Sequence, residues 1–389
     1  MSVWHSLIGQ PSALTQLRAA AASAHGSGDP RAMTHAWLIT GPPGSGRSIA
    51  AVSFAAALVC ESQGCGDCPA CRAVLNGSHA DVDLVRSTTL SHGKDRARQL
   101  VARASGAPSM SAWRCFVILD ADRMTPAAAS TLLKAIEEPT PRAVWVLCAP
   151  SPEDLLPTIR SRTRHVALKI PSAADIAEAL VSEGVDPATA AFAASASQGH
   201  IGRARALAVD EHTRERRMTV LRIPNQLGGL DSAYAAAHEL RRIADDDARA
   251  RNKELDEREA GDLLDSYGQG ATGVSAVRVK ALARSAMTEL NKNQQQRSSR
   301  STRDELDRHF VDLTGLYRDV LVMQLGAGSD LINADLLPLI EKLSSSGDAA
   351  LTILRIDAIS RARSQLAGNV PPALVCEALM VNLLHPVRS

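Results

Sequence analysis

Gly41-Pro-Pro-Gly-Ser-Gly-Arg-Ser48 constrains the fold of this chain more than any other stretch of its sequence. The spacing is that of a phosphate-binding loop, in which glycines let backbone N–H groups turn inward around an anion. The apolar run His35-Ala-Trp-Leu-Ile-Thr40 before it reads as a short buried strand. Ile49–Cys60 after it reads as an apolar helix whose N-terminus points at the bound charge. That frame argues against the simpler alternative, a Gly/Pro connector with no ligand. Gly41, Pro42, Pro43, Gly44, Ser45, Gly46, Arg47 and Ser48 are therefore candidate nucleotide contacts. ATP or ADP is the expected ligand, and Ser48 the residue that would hold magnesium. One position departs from the pattern: Arg47 stands where lysine is usual. A lysine reaches the phosphates as a compact point charge, whereas arginine is longer, planar and forked, so the two are not equivalent.

A loop of this kind works with a hydrophobic strand ending in an aspartate that helps to hold the metal. Cys115-Phe-Val-Ile-Leu-Asp120 supplies one, which makes Asp120 a candidate ligand; on its own, Asp120 would only end a strand. The next position, where a catalytic glutamate would orient the attacking water, is Ala121. Asp122 follows, and its side chain is expected to leave in another direction. A helix through Ala127–Ile136 and a third strand at Ala143–Cys148 continue the pattern. Strands alternating with helices predict a parallel sheet covered on its faces. After Pro171 the pattern changes to short Ala-rich helices broken by Gly184, Gly199 and Gly202, up to about Asp210. The remainder reads as helical. It includes a charged run, Arg241–Glu259, expected to be a solvated face. It also includes Arg278–Arg303, with seven basic residues against one acidic, expected to be an exposed basic helix or a linker.

Four of the seven cysteines fall in one polar loop as Cys60-x4-Cys65-x2-Cys68-x2-Cys71. Cys-x2-Cys turns supply the bite that tetrahedral zinc requires, and Gly64 and Gly66 ease the backbone around them. With all four positions filled by protein, a structural zinc is expected; redox chemistry is the weaker alternative. The other cysteines are scattered, which argues against a disulfide framework and for a reducing cytoplasm. No signal peptide is apparent over Met1–Leu14, and no run approaches the roughly 20 apolar residues of a membrane span. A net charge of +1 excludes an overall basic nucleic-acid magnet. Aromatics at 3% against 45% hydrophobic residues predict Ala/Leu/Val helix packing.

Leu7-Ile8-Gly9-Gln10, the loop, the four-cysteine insertion, Leu132-Leu-Lys-Ala-Ile-Glu-Glu-Pro139 and Leu156-Pro-Thr-Ile-Arg-Ser-Arg-Thr163 occur in that order. The set resembles the bacterial clamp-loader AAA+ subunits, the gamma/tau and delta-prime type of the DNA polymerase III holoenzyme, over roughly residues 1–210. The resemblance implies an α/β P-loop (AAA+) core over 1–170 with a zinc module at 60–71, a small helical lid over 171–210 and an all-α collar over 211–389. Its implied partners are gamma/tau and delta subunits and, through the complex, the sliding clamp and primer–template DNA. Departures from gamma/tau cluster at the catalytic centre. They are Arg47, Ala121, Cys148-Ala149-Pro150 where a sensor threonine ends the strand, and Gly202 at the lid's sensor-arginine position. Such losses look like the non-hydrolysing delta-prime type. The Ser-Arg motif implies that Arg162 is an arginine finger for a neighbour's ATP, with Thr163 replacing the usual cysteine. Arg160 and Arg164 lie close by, and motif spacing alone favours Arg162. Glu137 and Glu138 are expected at a subunit boundary. Two rival readings stay open: an active gamma/tau-type ATPase using Arg47 and Asp122, and a zinc-containing DNA-binding protein using Arg278–Arg303.

Overall fold

The structure is a computed structural model. It describes residues 2–85, 93–268 and 274–387, with the backbone alone described over 266–268 and 274–282. The chain divides into two compact units, Met1–Val209 and Asp210–Ser389.

In the first unit, helices α1 (Pro11–Ala24), α2 (Arg47–Val59), α3 (Pro69–Leu75), α4 (Lys94–Ala104), α5 (Pro126–Glu137) and α6 (Pro157–Arg160) surround five strands. The strands are β1 (Ala36–Thr40), β2 (Val82–Val85), β3 (Arg114–Ile118), β4 (Ala143–Ala149) and β5 (Arg164–Ala167). They form one sheet in the order β2-β3-β4-β1-β5, and every pairing is parallel. The expected α/β core is therefore present. β1 and β4 are buried at every position, which is why they read as continuous apolar runs. One face of the sheet packs Trp37, Ile39, Val117 and Val146 against α2; the other packs Leu38, Phe116, Trp145 and Leu147 against α4 and α5. Trp145 stacks on Phe116 with ring centroids 4.5 Å apart. Thr125 caps α5 by accepting from the Ala128 N–H, Pro126 occupies its first turn, and the helix stops at Glu137, two residues before Pro139.

Three more helices, α7 (Ala173–Ser182), α8 (Pro187–Ser197) and α9 (Ile201–Val209), share a small Ala-rich core that Ile8 and Ile49 also join. Ser172 and Asp175 form a capping box at the start of α7. Gly202, expected to break a helix, lies inside α9, while Gly184 and Gly199 do sit in turns with positive φ.

Among its described residues the second unit has helices and no strand: α10 (Glu211–Arg222), α11 (Leu230–Gly268), α12 (Val274–Gln324), α13 (Leu337–Ser345), α14 (Ala349–Ala367) and α15 (Pro372–Leu384). Its main core joins Leu240, Phe310, Leu313, Ile359 and Leu379. A buried polar network threads it. Arg217 pairs with Asp312 at 3.1 Å and donates to Asn333, whose N–H donates to Asp319. Removing one partner from such a network costs more than the intact network adds in net stability.

α11 and α12 pair antiparallel along their length, and the seam turns polar away from the core. Thr302 donates to Asp245, Asn252 bonds Ser301, and Arg297 pairs with Asp256 and Glu259. This changes the reading of Arg278–Arg303. The segment belongs to a long helix, and Arg297 and Arg303 are committed to acceptors of their own chain, Arg303 to the carbonyls of Leu366 and Val370. The side chains of Arg278 and Lys280 lie outside the described residues. Among the described residues, no helix is long and apolar enough to cross a membrane.

Candidate functional site

The phosphate loop leaves the C-terminal end of β1, an inner strand between β4 and β5, at the end of the sheet where open α/β folds collect ligands. Gln10 ties it down. Its amide donates to the Lys169 carbonyl at 2.6 Å and reaches the Ser45 carbonyl at 3.4 Å, while its oxygen accepts from the Lys169 N–H. The sequence offered Gln10 only as part of a motif; these bonds give it a role. Gly44 has φ +89°, and a Cβ there would lie 2.8 Å from the backbone and ring of His200, so the turn before α9 covers this part of the loop. Ser45 Oγ is buried and makes no hydrogen bond.

Arg47 begins α2, but its guanidinium turns back and donates to the Gly41 carbonyl at 2.7 Å. Burial pulls it below the usual arginine range, opposed by the nearby Cys148, Asp122 and Asp120. Ser48 sits exposed in the first turn of α2. Asp120 lies two residues beyond the end of β3, at the start of the short turn Ala121–Arg123, and Ala121 is buried. Asp122 faces Arg123 at 4.0 Å, and burial raises its carboxyl. Cys148 is fully buried, its thiol pushed up to about 12 by burial, and it contacts the Arg47 carbonyl. Arg205 pairs with Glu183 at 2.6 Å. The loop thus keeps its frame, with Ala121 following Asp120 and the Arg47 guanidinium bonded to the Gly41 carbonyl.

The four cysteines are brought together, with all their sulfurs within 4.8 Å of one another. Cys60 lies 3.7 Å from Cys65 and 3.6 Å from Cys68. Four sulfurs at zinc's ~2.3 Å bond length on a tetrahedron would stand about 3.8 Å apart, so the set fits a tetrahedral metal. The backbone N–H groups of Asp67 and Cys68 lower the Cys65 thiol to about 7, while burial raises Cys68 and Cys71. A bound cation would favour the thiolate at all four. The N-terminal segment docks on this module: Ser2 Oγ and the Val3 N–H donate to the Gly64 carbonyl, and the Trp4 indole donates to that of Gln63. Gly64 has φ +97°, and a Cβ there would meet a Val3 methyl at 2.6 Å. Only glycine serves both demands.

The three arginines of the Ser-Arg segment differ in what holds them. Arg164 donates to the carbonyls of Arg31 and Ala32 and lies over the Trp37 ring, 5.3 Å from its centroid. Arg160 faces Glu153 at 3.5 Å. Arg162 lines an open depression, formed with His35, Ile136, Glu137 and Glu138. Its Nη2 meets Glu137 at 2.8 Å, and its Nη1 donates to the Thr158 carbonyl at 3.0 Å and to Ser161 Oγ at 3.2 Å.

Two family models match the chain. Residues 11–172 match one described as DNA polymerase III, delta subunit, and residues 284–385 match its C-terminal counterpart. Among curated proteins, the chain is 36% identical over 144 residues to DNA polymerase III subunit gamma/tau of Mycobacterium bovis, covering 36% of this chain and 25% of that protein. It is 30% identical over 194 residues to subunit delta' of Bacillus subtilis, covering 49% and 59%. It is 33% identical over 146 residues to subunit delta' of Pseudomonas aeruginosa, covering 36% and 44%. The aligned region thus spans between 25% and 59% of the length of these relatives.

Proposed function

The chain belongs to the clamp-loader family of DNA polymerase III subunits, and from that premise we propose that it acts as a delta-prime-type subunit that hydrolyses no ATP itself. It contributes Arg162 to the ATP held by an adjoining gamma/tau-type subunit. With a delta-type partner it helps that assembly to open the sliding clamp and close it on primed DNA. In this reading residues 1–170 are the AAA+ core, 171–210 its lid and 211–389 the collar through which subunits associate.

One observation carries the proposal. The chain's own phosphate loop has its cation folded onto Gly41 and no base after Asp120, while Arg162 stands half-exposed at an open depression. A guanidinium delivered to a neighbour's γ-phosphate neutralises charge that builds on the transferring oxygens. Cys60, Cys65, Cys68 and Cys71 would hold a structural zinc, since four protein thiolates leave no open coordination position.

A second reading retains some support. Asp122 lies within the field of Arg47 and Asp120, where an active gamma/tau-type ATPase could use it as a substitute base. Against the stand-alone DNA-binding reading, two of the seven basic residues of Arg278–Arg303, Arg297 and Arg303, are held by intrachain bonds.

The test is assembly and loading. Mixed with purified gamma/tau-type and delta-type subunits, the chain is expected to co-elute with them and to restore ATP-dependent loading of a labelled clamp onto primed DNA. Loading that proceeds equally well without it would remove the proposal.

A further inference from the structure

Arg162 carries five N–H donors in one plane, and two of them are hydrogen-bonded within its own segment. Nη1 donates to the Thr158 carbonyl and to Ser161 Oγ. Nη2 forms an ion pair with Glu137 at 2.8 Å. The Nε–H and the Nη2 protons remain for another ligand. Two of the three contacts are local to α6 and cannot fix the plane against the rest of the core. Glu137 can. It is the last residue of α5, a helix packed into the sheet through Ile136, Leu132 and Ala128. His35, at the entrance to β1, bonds the Ile136 carbonyl at 2.8 Å and so pins that helix end to the central strand. A carboxylate at a helix C-terminus is disfavoured by the helix dipole, which gives Glu137 a reason to hold a cation.

We infer that Glu137 is a positioning residue for Arg162, its ion pair orienting the guanidinium so that the remaining donors are presented to an anion arriving over the depression. This rests on the reading of Arg162 as a group acting in trans. An exposed arginine has many rotamers, and ordering it only when the phosphate arrives would cost rate; a carboxylate anchored to the core removes that cost beforehand. Glu138, on the same depression, lies beyond the helix end and has no such anchor.

The experiment is a double-mutant cycle in the complete complex of this chain with gamma/tau-type and delta-type subunits. It is read as kcat and KM for ATP hydrolysis at the site facing this chain. Glu137→Ala is expected to lower kcat about tenfold with KM unchanged. Glu137→Gln, which keeps an acceptor oxygen, is expected to retain most of the rate. In an Arg162→Ala background, Glu137→Ala is expected to have no further effect, because it acts only through the arginine. A full tenfold loss in that background, an unchanged rate in the single variant, or a faster one would each overturn the positioning role. If Arg162→Ala itself leaves the rate unchanged, it is the trans-acting reading that fails.

Discussion

Arg162→Ala, introduced into this chain alone within the reconstituted complex, is expected to slow ATP hydrolysis at the adjoining site by about a thousandfold or more. The size follows from the chemistry. Phosphoryl transfer spreads charge over the γ-phosphate oxygens, and a planar cation in a water-poor interface stabilises it without reorganising. The variant should fold normally, since Arg162 is half-exposed and its pairing with Glu137 is a surface ion pair worth about 0–1 kcal/mol. Other ATP sites in the assembly would continue to turn over, so the loss should emerge as a slow phase in single-turnover phosphate release. Arg162→Lys is expected to recover only part of the rate, because an ammonium lacks the fork. Arg160→Ala should change little, as that side chain faces Glu153 instead.

The second large effect is on stability. Cys71→Ser is expected to abolish stoichiometric zinc binding and to destabilise the first unit. Structural zinc contributes on the order of 10 kcal/mol in small modules that cannot fold without it. Here part of the module rests on the sheet core, and Cys71 and Val74 are fully buried, so the expected cost is smaller, about 3 kcal/mol. For a unit of this size that lowers Tm by about 6–12 °C. Because Val3 and Trp4 dock on the Gly64 turn, the N-terminal segment should loosen with the module. Metal analysis with a thermal scan checks both parts. Protein that contains no zinc and melts unchanged after the substitution would remove the metal from the account.

What the sequence disclosed was set by local chemistry. The phosphate loop, the strand before Asp120 and the cysteine module each depend on special residues at fixed spacing, so they could be read without knowing the fold. β2 and β5 could not. They are the edge strands, with Asp83 inside one and only Val166 buried in the other, so neither has an apolar run or a clean alternation. The outer parts of α11 and α12 were obscure for a related reason: ion pairs and amides such as Asn252–Ser301 replace the apolar stripe that marks a helix face. The candidate site shows a further limit. Spacing proposed Arg162 among three arginines, but contacts distinguish them: Arg164 is held by two backbone carbonyls and Trp37. The turn of Arg47 onto Gly41, and the facing of Asp122 to Arg123, depend on side-chain directions that no linear motif encodes.

Those same two residues decide whether this chain works on its own nucleotide or on a neighbour's. The direct test is single-turnover ATP hydrolysis by the isolated, zinc-loaded chain at saturating ATP and magnesium. The account predicts no phosphate release above the uncatalysed background, with hydrolysis arising only once a gamma/tau-type subunit is added. Sustained turnover by the isolated chain, lost on Asp122→Asn, would contradict it and establish the loop as an active ATPase site.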